Sequence, residues 1–257
     1  MPRLRLTILG SGTSMGVPTI GCHCGVCQSA DPRDQRTRPS LLVRYDGRAV
    51  VIDTSPDFRF QALRAGLDRL DAVLYTHGHA DHILGMDDVR PFNIKQGEEI
   101  PLYADRATLD ILRRVFSYVL SPEPTASTLP SVQMREISGP LNLFGVEFKP
   151  VPLWHGNMAV LGFRAGRMAY LTDFSEIPAE SFSLLEDLDI LILDALRDVP
   201  HPTHSTVENS LGLVSKIQPK RAYFTHICHD LPHQATNARL PGHVRMAFDT
   251  LELETEA

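Results

Sequence analysis

The sequence has no long apolar run. Its longest apolar stretches, such as residues 49–52 and 190–193, are far shorter than the roughly 18 residues that a membrane-spanning helix needs. We therefore expect a soluble protein without a membrane span. Residues 1–10 are interpreted as a first strand, because Thr7 interrupts the apolar stretch and no small-residue cleavage pattern of a signal peptide follows.

Positive charge is also scarce. Lys and Arg total 25 against 31 Asp and Glu, which gives a formal net charge of −6, and no basic run exceeds two residues. General nucleic-acid binding is therefore not expected. No Gly/Ser-rich linker, low-complexity tract or repeat divides the chain, so residues 1–257 are interpreted as a single domain.

Cysteine is rare, and its positions are uneven. Three of the four cysteines, Cys22, Cys24 and Cys27, lie within six residues, and Cys228 is remote. This spacing suits a metal site in a reducing compartment better than a disulfide framework, so a cytoplasmic location is expected. The three thiolates can surround one tetrahedral ion that prefers sulfur, normally zinc.

A closed zinc site of this kind needs a fourth ligand. His229 is the first choice, Cys228 is its rival and His23 is the third candidate.

The remaining pattern is typical of strands interspersed with helices. Short β-type runs occur at residues 4–9, 40–45, 49–53, 72–76, 132–137, 146–152, 159–165, 168–172, 190–193 and 221–225. Helical spacing occurs at residues 58–65, 106–120, 179–187 and 207–217. Turn residues at 45–48 and 165–167 predict hairpins, hence mixed sheets. The order predicts an α+β fold in which sheets pack together with helices outside.

A glycine-rich segment, residues 9–16, follows the first strand. It superficially offers a phosphate loop, but a cysteine cluster follows it where a nucleotide-binding fold would begin a helix. We interpret it as a tight turn beside an active site.

Four potential metal ligands follow the apolar run at residues 72–75, namely His77, His79, Asp81 and His82. In an extended segment His77 and His79 project to the same side, while Asp81 and His82 lie at a following turn or helix start. These side chains can bind two adjacent divalent ions. Residue types alone do not separate zinc from manganese or iron at such a site.

The string HGHADH matches the HxHxDH motif in full, and here the chain resembles the metallo-β-lactamase superfamily, from about residue 4 to 229. The resemblance implies an αββα sandwich of two mixed β-sheets flanked by helices. It also implies later ligands at strand ends. By resemblance one ion is bound by His77, His79 and His155, the other by Asp81, His82 and His226, and Asp173 bridges them.

Asp53 follows an earlier apolar run and looks like the superfamily's acidic residue that orients a metal-bound histidine. The alternative is a carboxylate at a helix N-terminus, a position for which Asp57 is better suited.

The cysteine segment, together with residues 225–229, looks like the PhnP-like branch, which contains a phosphoribosyl cyclic phosphodiesterase. In that branch a histidine at the position of His229 is the fourth ligand of a structural zinc. The PqqB-type proteins of pyrroloquinoline quinone synthesis share a similar cysteine cluster.

The resemblance implies hydrolysis of a small or cyclic phosphodiester. Two divalent ions would activate a bridging hydroxide and clamp the phosphate oxygens, with Asp81 and Asp173 holding the ions. His204 has a position similar to the family's histidine near the substrate phosphate, and it is predicted to be the general acid or a phosphate contact. Arg90 and Asn93 are candidate substrate contacts, and a salt bridge is the other interpretation of Arg90.

Several alternatives stay open. A ribonuclease Z-like activity is disfavoured because no Gly/Lys-rich insertion resembles its tRNA-gripping arm. Thioesters or lactones suit the same metals, and a PqqB-like accessory protein without hydrolytic activity is a candidate from another class. The expected partners are a small phosphodiester and, as a homodimer, a second copy of the chain.

Overall fold

The computed structural model describes residues 2–120 and 127–257, in which two seven-stranded sheets are formed. The first sheet has the order β14-β1-β2-β3-β4-β5-β6 and the second β13-β12-β11-β10-β9-β8-β7. The strands of the first sheet are β1 Arg3–Gly10, β2 Ser40–Tyr45, β3 Arg48–Ile52, β4 Ala72–Leu74, β5 Ile100–Ala104, β6 Val132–Glu136 and β14 Glu252–Glu256. Those of the second are β7 Leu141–Leu143, β8 Val146–His155, β9 Met158–Ala165, β10 Met168–Leu171, β11 Ile190–Asp194, β12 Arg221–Thr225 and β13 Val244–Met246.

Both sheets are mixed, as predicted. In the first sheet β14, β1, β2 and β3 pair antiparallel, whereas β3 to β6 pair parallel. In the second, β7 to β10 are antiparallel and β10 to β13 are parallel. The predicted turn between β2 and β3 is formed by Asp46 and Gly47, whose φ angles of 46° and 74° are those that a tight right-twisted hairpin requires.

The core lies in three layers. The cluster between the sheets takes residues from both of them, including Leu6, Ile52 and Phe148. Two outer clusters pack helices against the sheets, for example Phe58 on the first and Val214 on the second. The predicted αββα sandwich of two mixed sheets is therefore confirmed.

The helices are α1 Phe58–Arg64, α2 Ala80–Ile83, α3 Arg90–Gln96, α4 Arg106–Val115, α5 Val207–Ile217 and α6 His233–Arg239, with 3₁₀ helices at Pro32–Asp34, Met86–Val89 and Ala179–Leu185. The prediction of a helix to residue 120 was too long. The chain leaves α4 at Phe116, whose φ is −109° and whose ring is buried. No helix in the described part of the chain is long and apolar enough to cross a membrane.

The segment predicted as a helix at 179–187 is a 3₁₀ helix at Ala179–Leu185. Its polar groups bond to neighbouring strands: Arg164 donates to the Leu184 carbonyl at 2.8 Å, and Ser181 Oγ donates to the Pro152 carbonyl at 2.7 Å. These contacts compete with a regular helical hydrogen-bond pattern.

The glycine-rich loop after β1 lies beside the end of β12. Ile227 N–H donates to the Ser11 carbonyl at 2.9 Å, and Gly12 forms a bridge with Ile227. The loop is therefore a turn next to the segment that carries His226, as the sequence indicated. Asp249 holds it there by accepting from both N–H and Oγ of Ser11 at 2.9 and 2.8 Å.

Candidate metal centre

The first group of ligands comes from the loop after β4 and from the end of β8. His77, His79 and His155 each offer a ring nitrogen, and these atoms all lie within 4.8 Å of one another. His77 Nε2 is 2.9 Å from His79 Nδ1. The β8 strand brings His155 to the loop because its side chains alternate and that of His155 faces inward.

The second group is Asp81, His82, Asp173 and His226, whose ligand atoms also lie within 4.8 Å of one another. His82 Nε2 is 3.3 Å from a carboxylate oxygen of Asp81 and 3.3 Å from one of Asp173. His226 Nε2 is 3.1 Å from Asp173 Oδ2 and 3.8 Å from Asp81 Oδ2. All four residues are buried, although they come from three distant parts of the chain.

Unusual backbone geometry accompanies this convergence. Asp53, Asp173 and His226 follow strand ends with φ angles of 64°, 53° and 56°, in the left-handed region that non-glycine residues rarely adopt. Such conformations cost free energy and persist where the surrounding structure imposes them, commonly at functional sites.

Hydrogen bonds fix the rings of the ligands. Asp53 Oδ2 lies 2.7 Å from His82 Nδ1 and accepts from Thr76 Oγ1 at 2.8 Å. His155 Nδ1 lies 2.7 Å from the carbonyl oxygen of Thr203, so Nδ1 donates and Nε2 is left with its lone pair. Asp53 is therefore where the resemblance placed it. It does not cap α1, because Asp57 has the N-cap position, although the Asp57 carboxylate pairs with Arg38 at 3.1 Å.

The electrostatics of the two groups differ. Burial lowers the pKa of His77 well below its ordinary value and that of His155 to about 4, so both imidazoles are neutral near pH 7. Burial alone would raise the pKa of Asp81 and of Asp173, but the neighbouring His82 and His226 hold both carboxyls well below their usual range.

These donors fit divalent metal ions. Neutral imidazoles, as at His77 and His155, and ionised carboxylates are the protonation states that bind such ions. Against the effect of burial, the surrounding carboxylates raise the pKa of His82 well above its ordinary value and that of His226 to about 9, so each of these rings would give up a proton to a bound ion. Among the described residues, His82 Nε2 and His226 Nε2 are buried without a well-formed hydrogen bond, although carboxylate oxygens surround them. Ligand atoms that converge on one point without bonding to each other form a site that suits a cation.

His204 stands beside both ligand groups. Its ring centroid is 4.6 Å from that of His155 and 4.5 Å from that of His226. His204 Nδ1 is 2.7 Å from Asp194 Oδ2, which is fully buried. Two residues further on, Thr206 caps α5 by accepting from Asn209 N.

Asp194 is a functional candidate that the sequence pattern did not single out. It ends the apolar strand β11 just as Asp53 and Asp173 follow β3 and β10, so the same pattern of a buried strand ending in aspartate could have identified it.

A separate group contains the sulfur ligands. His229 Nδ1 is 3.2 Å from Cys22 Sγ and 3.4 Å from both Cys24 Sγ and Cys27 Sγ. Such separations are close to the roughly 3.5 Å expected between ligands of a tetrahedral zinc. Cys228 lies outside this group, with its Sγ accepting from Asp230 N at 3.3 Å.

The fourth member of the group is therefore His229, and neither of the other two candidates, His23 and Cys228, belongs to it. His23 is exposed.

Arg90 and Asn93 are engaged in contacts of another kind. Arg90 donates to the Thr128 carbonyl at 2.9 Å and pairs with Asp87 at 3.5 Å. The Asn93 amide donates to the carbonyls of Glu98 and Ser131 and accepts from Ser131 N. These contacts favour the salt-bridge interpretation of Arg90 and a structural role for Asn93, and the predicted substrate contacts stay predictions.

Known proteins share this architecture. Residues 48–227 match the family described as the Beta-lactamase superfamily domain. A solved structure described as a new diphosphatase from the PhnP family is 53% identical, covers 99% of this chain and 98% of its own, and superposes with a TM-score of 0.94.

Two curated relatives have other names. A protein of Porphyromonas gingivalis named Octanoyltransferase is 41% identical over 254 residues, which are 97% of this chain and 51% of that protein. A Coenzyme PQQ synthesis protein B of Methylobacterium nodulans is 30% identical over 226 residues, 74% of this chain and 72% of the relative. The chain spans about half the length of the first curated relatives it matches. With its matched family and its PhnP-family neighbour, the chain belongs to the beta-lactamase superfamily, in the PhnP-like branch.

Proposed function

We propose that this metal-dependent hydrolase cleaves a phosphorus–oxygen bond in a small phosphodiester, cyclic or linear, or in a disubstituted diphosphate. The observation that carries the proposal is the position of His204, whose ring lies against His155 and His226 at the junction of the two ligand groups. In both substrate classes the reacting phosphorus has two bridging and two non-bridging oxygens. One site can therefore serve both.

The ligand groups are proposed to hold two divalent ions, zinc or manganese, with iron as a further candidate. When bound, such a pair lowers the pKa of water to give a nucleophile and offers positive charge to the non-bridging oxygens. The chain's own residues orient the ligands: Asp53 holds His82, and the Thr203 carbonyl holds His155. Asp81 and Asp173 contribute the negative charge that retains the ions.

His204 is proposed as the general acid. Its Nδ1–H donates to Asp194 Oδ2, which fixes the ring and stabilises the imidazolium. Nε2 of the same ring is then the atom that delivers a proton to the departing oxygen. The Nε2 proton is needed most when the leaving group is a poor one, such as an alkoxide.

One zinc is proposed for the separate group of Cys22, Cys24, Cys27 and His229. That site has four protein ligands and no open position for substrate, so its role is structural. It connects the N-terminal loop to the segment that carries His226.

The likeness to the PhnP-family diphosphatase supports the diphosphate class. A thioester hydrolase is the second candidate, since a relative of this chain is named for octanoyl transfer. A PqqB-like accessory role is the third and is supported by the identity with the Methylobacterium nodulans protein.

Purified protein loaded with manganese or zinc should be assayed on bis(p-nitrophenyl) phosphate, 2′,3′-cyclic AMP, P1,P2-diadenosine diphosphate and an octanoyl thioester. Turnover of a phosphorus compound that is abolished by Asp173→Ala supports the proposal. Turnover of the thioester alone would replace it with the second candidate. No turnover of any compound by fully metal-loaded protein would favour the accessory role.

A further inference from the structure

The loop between β11 and α5 carries a second histidine, His201, for which the proposed reaction has no use. The ring centroid of His201 is 5.0 Å from that of His204. The His204 ring in turn stacks on His226 at 4.5 Å. His226 is buried, His204 is 11% exposed at its side chain and His201 is partly exposed, so His201 is the outermost of three successive rings that lead away from the ligands.

The loop backbone determines which nitrogen of His201 carries the proton. Thr203 N–H is 3.3 Å from His201 Nδ1, and Thr203 Oγ1 is 3.2 Å from the same atom. Because a backbone N–H can only donate, Nδ1 accepts and the proton of the neutral ring is on Nε2. Within residues 2–120 and 127–257, Nε2 of His201 has no hydrogen-bond partner. A neutral N–H donor is therefore available next to His204.

The charges of the loop favour an anion at this place. Arg197 lies along the loop and donates to the carbonyls of Val199 and Pro200 at 3.1 and 3.2 Å. The carboxylate of Asp198 is neutralised by Arg239, which donates to both of its oxygens at 2.7 Å. The loop therefore presents a cation and two imidazoles, and its acidic side chain has a partner elsewhere.

We propose that His201 binds the distal phosphoryl group of a diphosphate whose proximal phosphoryl reacts beside His204. The inference rests on the proposed function and narrows its substrate class to diphosphates. The two phosphoryl groups of a diphosphate share one bridging oxygen, and the two imidazoles are neighbours in the same loop. Nε2–H of His201 donates to a distal oxygen. His201 is thus a specificity residue, since a simple phosphodiester has no second phosphoryl group to accept this hydrogen bond.

The test measures binding, so that it does not depend on turnover. Methylenediphosphonate and methylphosphonate are titrated calorimetrically into manganese-loaded wild type, His201→Ala, His201→Phe and the control His243→Ala, in which an exposed histidine distant in sequence is removed. His201→Phe keeps a ring but has no donor. We expect both His201 variants to bind methylenediphosphonate at least about tenfold more weakly and methylphosphonate within about twofold of wild type, because a hydrogen bond to a charged group is lost.

Equal weakening of both ligands would overturn the inference, because it would mean that the loop, and with it the Thr203 contact to His155, had been displaced. Unchanged affinity for methylenediphosphonate would overturn it too. If the expected binding pattern occurs in a protein that hydrolyses no phosphorus compound, the subsite stands and the proposed reaction fails. If hydrolysis occurs without the binding pattern, the reaction stands and the subsite fails.

Discussion

Asp53 Oδ2 lies 2.7 Å from His82 Nδ1, and both side chains are completely buried. Asp53 also accepts from Thr76 N and Thr76 Oγ1, each at 2.8 Å. The Asp53 carboxylate is therefore held in place by contacts within the protein, without a bound metal ion. Its contact with Nδ1 holds the ring of His82 so that Nε2 points toward Asp81 and Asp173.

Asp53→Asn should weaken metal binding about 10- to 100-fold, because the amide cannot stabilise the same ring orientation and charge on His82. Competition titration with a metal chelator measures the affinity. The matched control is Asp57→Asn, which removes a carboxylate four residues away that pairs with Arg38 outside the ligand groups. Identical metal affinity in wild type and Asp53→Asn would contradict the orienting role.

Asp194→Asn and His204→Ala should each slow hydrolysis of an alkyl phosphodiester by about 100-fold or more, and should slow an activated aryl ester much less. The physical reason is that p-nitrophenolate departs without a proton. Metal content should not change. The double variant should be little worse than either single one, because Asp194 acts through His204. An equal loss for both ester types would remove the general-acid assignment.

Cys24→Ser should lose one zinc equivalent and lower the thermal midpoint by about 10 °C, since metal binding here is also folding free energy. The ion would close a loop between Cys22 and His229, which are 207 residues apart in the chain. His229→Ala should behave in the same way and Cys228→Ser should not, because Cys228 lies outside the ligand group. Zinc analysis with calorimetry checks this, and zinc loss in Cys228→Ser alone would reverse the assignment.

Arg36→Met should destabilise the protein by about 3–5 kcal/mol, because it leaves a buried carboxylate without its partner. The Arg36 side chain is fully buried, pairs with Asp34 at 2.7 Å and donates to the Cys228 and Leu231 carbonyls. Urea denaturation of zinc-loaded protein measures the free energy of unfolding. The control Arg33→Met removes a half-exposed arginine paired with Asp31 and should cost less than about 1 kcal/mol. Equal costs would show that the buried ion pair has no special role.

Acid should destabilise the protein partly through His233. Burial, followed by the charges of Arg33 and Arg36, lowers the pKa of His233 to about 4 in the folded state. A depressed histidine pKa means that the folded state prefers the neutral ring. The contribution of the neutral His233 ring to the free energy of unfolding is complete above about pH 6.5, the pKa of histidine in the unfolded chain. This contribution is lost as the pH falls from about 6.5 to about 4.

The glutamine variant isolates this effect. Between pH 7 and 4, His233→Gln should lose about 2–3 kcal/mol less of its unfolding free energy than wild type, as one pKa unit corresponds to about 1.4 kcal/mol. Denaturant titrations of both proteins across this range provide the comparison. If the free energy of unfolding depended on pH in the same way in both proteins, His233 would have the same pKa in the folded and unfolded states, and the prediction would be wrong.

Most of the strands could be predicted from local sequence, because buried β-branched runs bounded by turn residues predict strands wherever they lie. Four strands of the described chain were missed, β5, β7, β13 and β14, and they depend on their neighbours. Pro101 interrupts the apolar run of β5, Ile100–Ala104, which is held between β4 and β6. β14, Glu252–Glu256, has an acidic sequence and is held by pairing with β1, where Arg3 binds Glu254 at 2.7 Å. β7 and β13 have three residues each, too few for a periodic pattern.

The sequence by itself determined the local ligand pattern. His77, His79, Asp81 and His82 lie within six residues, and a short extended segment followed by a helix start presents them together. The cysteine spacing likewise indicated a sulfur-bound ion, since Cys22, Cys24 and Cys27 are close neighbours in the chain. Both patterns are local in the sequence, so they can be identified without knowledge of the fold.

The family resemblance had named His155, Asp173, His226 and His229 as ligands, but only the tertiary structure decided whether these distant residues meet. The two sheets pack so that the ends of β8, β10, β11 and β12 meet the loop after β4. This packing brings together four residues that are far apart in the chain: His155, Asp173, Asp194 and His226. The choice of His229 over Cys228 likewise depends on the directions of two adjacent side chains. His229 points toward the cysteines, with its Nδ1 3.2 Å from Cys22 Sγ, whereas the Cys228 thiol lies beside Asp230 N. Side-chain direction at a turn depends on backbone angles, such as the φ of 56° at His226, that long-range packing imposes and no local pattern encodes.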